Sequence, residues 1–274
     1  MTEAAPSLLY RVWAPFLAVF GVIGLLLLGT GLWESAPSMD ARLKIANAIL
    51  EHARANQQVH GRQSQMPWPV PVDSGVEERK TLFLAKMLPL VAEENDRIRS
   101  ERKSVIQGGR PHMIAELAED YGLDANPPDM ARLLRRVDTV PISLVLAQAA
   151  IESAWGTSRF AHEGHAYFGE RTFDADAPGL EPRDAGGFKV KRFAEPKLSV
   201  RSYLRTLNTH PAYAELRKAR ERIRFEHRRD PTAEELLPYL TPYSEIRDNY
   251  ADIVLATVRA NDLGAFDPVT YQRN

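Results

Sequence analysis

The sequence predicts a mainly α-helical domain with a small β-hairpin lobe, preceded by one transmembrane helix. Three observations support this fold class. Residues 12–33 carry no charged side chain. Residues 77–156 contain several segments whose apolar side chains recur at helical spacing. Residues 157–192 lose that spacing and gain Gly, Pro and Asp, which is typical of loops and short strands.

The first element is the apolar segment Val12–Trp33, which follows a short tail of residues 1–11. At about 1.5 Å per residue it is long enough to cross the hydrocarbon core of a bilayer. Trp13 and Trp33 stand at its ends, as aromatic residues do at membrane interfaces. A cleaved signal peptide is the alternative. Because the segment is longer than a signal core and no clear cleavage site follows, we expect an uncleaved anchor.

Residues 34–76 are expected to connect this anchor to the main domain. Met39–His60 has apolar residues at helical spacing and predicts a short amphipathic helix. Gln57–Ser74 is polar and proline-rich, which favours an extended spacer over a proline-rich ligand for a partner domain. We therefore expect the main domain to span residues 77–274.

Composition limits the classes of function. The 274 residues are 44% hydrophobic and 26% charged, as in ordinary globular proteins. A net charge of −1 argues against nucleic acid as the main partner. The basic run Arg217–Arg229 predicts a solvated helix face, with contact to an anionic polymer as the alternative. The absence of cysteine excludes disulfides and a thiol nucleophile.

Apolar periodicity and Gly or Pro boundaries predict the other helices of the main domain. They cover these segments: Glu77–Val105, Met113–Tyr121, Met130–Val137, Pro196–Asn208 and Ala212–His227. Pro89 should kink the first of them. A last helix follows Thr241–Ser244, and we expect Ile253, Val254 and Val258 to anchor it to the core.

The most informative segment is Val140–Gly156, VPISLVLAQAAIESAWG. Pro141 suits the first position of a helix, and Gly156 suits the residue after its last turn. The residues between them are almost all apolar, so we expect a helix that other helices bury on most sides. Glu152 is the one carboxylate in this segment.

The surroundings of Glu152 suit a general acid. At helical spacing Gln148 and Trp155 lie about one turn away, and the Trp ring is suited to stacking on a sugar. Apolar neighbours disfavour the charged carboxylate, which raises its pKa and lets it hold a proton near neutral pH. The structural alternatives are a Glu that reaches the surface at the helix end, or one paired with a buried Arg.

The hairpin is predicted from Phe188–Phe193, which alternates apolar and basic residues like a half-buried strand. Gly186 and Gly187 indicate the turn, and Pro178–Pro182 is the expected partner strand. Such a lobe is where a glycosidase would carry a second carboxylate. The candidates are Glu170, Asp174, Asp176, Glu181, Asp184 and Glu195. His162 and His165 do not match the helical spacing of a zinc motif, so we expect no metal.

Four stretches carry a family resemblance when they are taken in order. They are AQAAIESAWGTSRFA, YFGE, FAEPKLSVRSYLRTLNTHPAY and YSEIRDNYADIV. Together they resemble the glucosaminidase domain of glycoside hydrolase family 73, in its proteobacterial Bax-type branch, from about Glu77 to about Asn261. The resemblance implies a lysozyme-like α+β fold with Glu152 as the general acid. Two positions depart from the branch, which usually has Asn at His165 and Gln at Glu170.

The resemblance also implies the other site residues. Counting back from NTHPAY points to Glu181 as the second carboxylate, with Asp184 next. Phe168 and Tyr243 match residues that line the groove and are expected to bind substrate, with Gln148 and Trp155. No cofactor is implied.

The implied activity is hydrolysis of β-1,4 bonds after N-acetylglucosamine in peptidoglycan glycan strands. The alternatives are a lytic transglycosylase on the same polymer and a catalytically weak wall-binding or partner-binding module. Reaching the wall requires a single-pass inner-membrane protein with its catalytic domain in the periplasm. Charge alone favours the opposite orientation, since only Arg11 precedes the span while Arg42, Lys44 and Arg54 follow it.

Overall fold

A computed structural model describes residues 37–61, 66, 68–183, 187–240 and 249–273. The predicted anchor Val12–Trp33 lies outside the described residues, as do Asp184, Gly186 and Tyr243. Within the described ranges, no helix is both long and apolar enough to cross a bilayer.

The described helices are α1 (Met39–Asn56), α2 (Val76–Ile106), α3 (Pro111–Asp120), α4 (Met130–Arg136), α5 (Ile142–Glu152), α6 (Arg159–Gly164), α7 (Pro196–Thr209), α8 (Ala214–His227), α9 (Ala233–Leu236) and α10 (Tyr250–Ala260). Short 3-10 helices cover Pro211–Tyr213, Leu237–Tyr239 and Leu263–Phe266. The strands are β1 (Gln58–His60), β2 (Arg171–Thr172), β3 (Gly179–Leu180), β4 (Lys189–Lys191) and β5 (Thr270–Gln272). The mainly helical α+β class is therefore confirmed.

The apolar helix α5 lies at the centre, in contact with α2, α10 and the 3-10 helix Leu263–Phe266. Its residues 142–150 are all buried, as the apolar sequence predicts. The helix ends at Glu152, earlier than predicted, since the sequence predicts that Gly156 is the residue directly after its last turn. Ser153 explains the early end, because its hydroxyl bonds to the Ala149 carbonyl and accepts the Gly156 N–H. Ala154, Trp155 and Gly156 then adopt left-handed backbone conformations.

Buried ionic groups fix the chain that leads into α5. Arg220 of α8 is fully buried and donates hydrogen bonds to the carbonyls of Arg135, Asp138 and Thr139. Its guanidinium lies 3.2 Å from the Asp138 carboxylate. The expectation that Arg217–Arg229 forms a solvated face is thus wrong for Arg217 and Arg220, both buried. Periodicity marks this face as cationic but cannot show that the buried carbonyls need its donors.

The segment before α2 packs against the domain and does not extend away from it. Val59 and Val70 are buried, and the Lys86 ammonium donates to the carbonyls of Met66 and Trp68. Strand β1 pairs in parallel with β5 at the carboxyl end of the chain. Helix α1 packs against α2. The compact unit of the chain therefore begins at Met39 and includes residues before the expected start at residue 77.

The predicted hairpin is present as part of a three-stranded antiparallel sheet, in the order β2-β4-β3. Gly179 pairs with Lys191 and Leu180 with Val190, while Arg171 on the other edge also pairs with Val190. Helix α6 was not predicted in this region. Ser158 caps it, because its hydroxyl accepts the Ala161 N–H.

The remaining predicted helices are confirmed to within a few residues. In α10, Val254 is fully buried as expected, but Ile253 is 47% exposed and does not anchor the helix. Val254, the next residue, takes the core position because only one face of α10 packs against the domain.

Candidate active site

Glu152 is the last residue of α5, where the buried helix reaches the surface, and its side chain is half-buried. The Tyr250 hydroxyl, at the start of α10, donates a hydrogen bond of 3.1 Å to its Oε1. The helix therefore brings one carboxyl group to the surface, and a second helix holds one of its two oxygens.

Gln148, one turn earlier on α5, is fully buried. Its Nε2 donates to the Tyr250 hydroxyl at 2.9 Å, and its Oε1 accepts a hydrogen bond from the Tyr203 hydroxyl. Tyr203 comes from α7 and is also fully buried. A continuous polar chain thus runs from Tyr203 through Gln148 and Tyr250 to Glu152.

The FG pair of the sequence lies against both ends of this chain. The Phe168 ring stacks on Tyr203, with ring centroids 4.1 Å apart and planes 5° from parallel. Gly169 has a φ of +62°, and a Cβ placed on it would lie 3.5 Å from Oε2 of Glu152. Glycine is favoured here because L side chains avoid this conformation. The turn therefore passes directly beside the second oxygen of Glu152.

Burial controls the ionisation of the site. Burial raises the pKa of Glu152 above its ordinary value, and the hydrogen bond from Tyr250 offsets only part of that rise. Burial likewise raises the pKa of Tyr250 and of Tyr203, and nearby Glu152 adds to both effects. The two phenols are therefore neutral donors at physiological pH, and Glu152 retains a proton to higher pH than an exposed carboxyl would.

Sequence similarity places this site within a family. A profile of the glucosaminidase family, described as mannosyl-glycoprotein endo-beta-N-acetylglucosaminidase, matches residues 128–261. "Protein bax" of Escherichia coli (strain K12) is 31% identical over 201 residues, which are 67% of this chain and 70% of that protein. The chain belongs to the glucosaminidase family, in its Bax-type branch. Among solved structures, none matches.

The profile covers most of what positions Glu152, because residues 128–261 include α5, the lobe, α7 and α10. A glucosaminidase domain implies a glycan substrate, and Glu152 with its raised pKa lies within the part of the chain that the profile matches. The segments outside the profile include α1, α2, α3 and the strand pair β1–β5, and of these α2 packs directly against α5.

The lobe of the glucosaminidase domain carries carboxylates in two different settings. Glu181 directly follows β3 and its side chain is exposed, while its backbone carbonyl accepts a hydrogen bond from Arg159. Asp174, Asp176 and Glu195 are exposed as well. Among the described residues, no hydrogen bond joins any of these carboxylates to Glu152.

Glu170 is the exception among the lobe carboxylates, since its side chain is only 10% exposed. Its Oε1 accepts from Thr206 of α7 at 3.0 Å, and its Oε2 lies 4.0 Å from the Lys191 ammonium. Burial first, and then the charge of Glu170, raises the pKa of Tyr213 to about 12. Glu170 therefore ties the base of the lobe to the helical body.

Of the residues expected to bind substrate, Gln148 and Phe168 lie beneath the surface, where Gln148 is hydrogen-bonded to Tyr250 and Phe168 stacks on Tyr203. Trp155 is half-buried, with its ring 5.5 Å from Phe83 in an edge-on contact and the Lys80 ammonium 5.8 Å from its centroid. The left-handed turn after α5 directs it to α2 and not along the helix face of Glu152. Tyr243 lies outside the described residues.

Sequence reasoning missed the part played by Tyr203. The signal was present, because Tyr203 is three residues after Val200 and so on the same inward face of α7 as Leu204 and Leu207. Periodicity identified that face as buried but could not show that a phenol on it bonds to Gln148.

The two histidines of the lobe entrance do not form a metal site with their neighbours. His162 Nε2 lies 2.9 Å from the Val70 carbonyl, and His165 closes α6 with a left-handed backbone. In the part of the chain that the structure describes, no group of three or more His, Asp and Glu side chains could hold a metal ion.

Proposed function

We propose that this chain is a membrane-anchored peptidoglycan hydrolase that cleaves β-1,4 bonds after N-acetylglucosamine. One observation carries the proposal. Glu152, a carboxyl group whose pKa is raised by burial, stands at the surface end of an otherwise buried helix in a glucosaminidase domain. A carboxyl that keeps its proton near neutral pH is what cleavage of a glycosidic bond requires.

In the proposed reaction Glu152 gives its proton to the glycosidic oxygen as the bond from that oxygen to the anomeric carbon breaks. Positive charge develops on the sugar ring, and a water oxygen then bonds to the anomeric carbon. The proton released by that water returns the site to its starting state. The resemblance assigns the second carboxylate to Glu181, in the exposed part of the lobe.

A lytic transglycosylase is the second candidate, and the setting of the lobe carboxylates favours it. Of the described lobe carboxylates, Asp174, Asp176, Glu181 and Glu195 are exposed, and Glu170 is held by Thr206 and Lys191. A transglycosylase works with one carboxyl group, because a hydroxyl of the glycan itself replaces water as the nucleophile and leaves a 1,6-anhydro end.

The products of digestion distinguish these activities. Purified peptidoglycan is digested with the full-length chain in detergent, and the reducing ends of the fragments are identified by mass spectrometry. We expect N-acetylglucosamine at the new reducing ends. Fragments with 1,6-anhydro ends would establish the transglycosylase instead, and N-acetylmuramic acid ends would contradict both.

The proposed location is the inner membrane, with Val12–Trp33 as a single span and the glucosaminidase domain in the periplasm. Support comes from the length of the charge-free segment and from the need to reach the cell wall. Membrane fractionation with intact-mass measurement tests it. We expect a membrane-bound chain that retains residues 1–36, and a soluble product beginning near Ser35 would contradict the anchor.

A further inference from the structure

The hydrogen bonds around Glu152 have a direction. Gln148 accepts at Oε1 from the Tyr203 hydroxyl, so its Nε2 is the group that faces Tyr250. The Tyr250 oxygen accepts from that Nε2 and donates its single proton to Oε1 of Glu152. Because a phenol has one proton, each bond in the chain sets the direction of the next.

This direction makes the two oxygens of Glu152 unequal. Oε1 receives the Tyr250 proton and acts as an acceptor. When Glu152 is protonated, its own proton must therefore lie on Oε2. Oε2 is the oxygen beside Gly169, where the absence of a side chain leaves space next to the carboxyl group.

We propose that Tyr203 and Gln148 are positioning residues that act through Tyr250 to place the transferable proton of Glu152 on Oε2. The leaving oxygen of the glycan then meets the acid on its Gly169 side. This inference rests on the proposed function of Glu152 as a general acid. It gives Gln148, fully buried, a part in the reaction without contact with the substrate.

Among the residues that the structure describes, this chain supplies the hydrogen bond that shifts the pKa of the acid. Burial and the Tyr250 hydroxyl of α10 act on the ionisation of Glu152. Tyr203 of α7 acts on it through Gln148 of the same helix as the acid. The charge of Glu170 adds to the effect of burial in raising the pKa of Tyr203 and of Tyr213.

The direction of these hydrogen bonds determines whether removal of one of them raises or lowers the pKa of Glu152. A donor to Oε1 stabilises the carboxylate, so its removal should raise the pKa of Glu152. In a chain of the opposite direction Glu152 would donate to Tyr250, and removal of that acceptor would lower the pKa. An acid catalyst must be protonated to act. The pH above which kcat/KM falls, its alkaline limb, should therefore move in the same direction as the pKa of Glu152.

The variants are Tyr250→Phe and Tyr203→Phe in the full-length chain, with Tyr213→Phe as a control that removes a buried phenol outside the chain. We expect the alkaline limb to move up by about one pH unit in Tyr250→Phe. A smaller shift of the same sign is expected in Tyr203→Phe, which keeps the ring that stacks on Phe168. The control should leave the limb in place.

A titration that needs no turnover keeps this test separate from the proposed function. The carboxyl carbon of Glu152 is followed by ¹³C NMR against pH in the wild type and in each variant. An upward shift in Tyr250→Phe and Tyr203→Phe is the expected result. A lower pKa of Glu152 in either variant, or an unchanged pKa in both, would overturn the inference. This holds whether or not the wild type digests peptidoglycan. If Tyr203→Phe does not fold, Tyr250→Phe alone decides the sign.

Discussion

At the scale of single residues, the position of Glu152 at the end of a buried helix favours its protonated form. The carboxyl end of a helix disfavours negative charge, and burial adds a desolvation cost to the carboxylate. Both effects favour the protonated form. The hydrogen bond from Tyr250 opposes them in part.

Gly169 gives a direct test of the space beside Oε2. In Gly169→Ala, a side chain is forced into a left-handed conformation, which costs about 1–2 kcal/mol, and a methyl group is placed 3.5 Å from Oε2. We expect a lower melting temperature and slower digestion of peptidoglycan. Gly264→Ala is the matched control, since a Cβ there meets nothing within 4 Å. Equal activity in the two variants would contradict the role given to this turn.

The lobe carboxylates are ranked by a second set of variants. Because Glu181 is exposed, Glu181→Gln should leave the melting temperature unchanged. If the resemblance assigns it correctly, turnover should fall more than in Asp174→Asn or Glu195→Gln. Rates of peptidoglycan digestion at equal protein concentration check this order. Turnover in Glu181→Gln equal to that of the wild type would remove Glu181 from the mechanism.

At the scale of elements, α5 is held in place by groups at its first turn. Asp267 accepts hydrogen bonds from the Ser143 N–H at 2.8 Å and from its hydroxyl at 2.9 Å. Arg220 of α8 ties the preceding residues Asp138 and Thr139 to Asn208 of α7. The helix that carries the acid is therefore fixed from two sides.

Arg220 should contribute strongly to stability. In Arg220→Met the buried Asp138 carboxylate keeps Arg224 but loses one cation, and the carbonyls of Arg135 and Thr139 lose their donors. We expect a loss of about 3–5 kcal/mol in the free energy of unfolding, measured by chemical denaturation. Lys218→Met on the same helix is the control, since that side chain is 59% exposed. A change in Arg220→Met as small as in the control would contradict this account.

Sequence periodicity predicted the helices and their order because each buries an apolar stripe. It located Glu152 by the same means, as the one charge on an apolar segment. It did not predict the end of α5, which depends on how Ser153 bonds to Ala149 and Gly156. Nor did it predict β1, because three residues of pairing with a strand at the far end of the chain leave no local pattern.

At the scale of the whole molecule, the compact domain begins at Met39, although the sequence predicts its start at residue 77. The segment of residues 57–74 reads as a spacer because it is polar and rich in proline. Several of its apolar residues are nevertheless buried, among them Val59 at 3% and Val70 at 3% exposure, although Val72 is exposed. Composition reports the average of a segment, whereas packing depends on the few side chains that face the core.

Truncation tests this domain boundary. A fragment of residues 38–274 keeps α1, whose residues Ile49 and Leu50 are buried in the core. A fragment of residues 77–274 exposes the surface that these residues cover. Each such side chain contributes about 1.5–3 kcal/mol. We expect the shorter fragment to melt at a clearly lower temperature or to aggregate, as followed by circular dichroism. Equal melting temperatures would show that α1 is a dispensable linker.

Glu152 also affects how the stability of the fold depends on pH. Because the folded chain holds this proton above the ordinary carboxyl value of 4.5, ionisation favours the unfolded state as the pH rises from that value. At pH 7 this carboxyl group therefore adds nothing to the free energy of unfolding or lowers it. An amide of the same size avoids the cost.

The most direct test is Glu152→Gln in the full-length chain, with melting temperature and peptidoglycan digestion measured on one preparation. The variant keeps the size of the side chain and an oxygen for Tyr250, but it has no proton to transfer. We predict a melting temperature equal to or above that of the wild type and digestion slower by about 10²-fold or more. A folded variant that digests peptidoglycan at the wild-type rate would contradict the role of Glu152 as the acid.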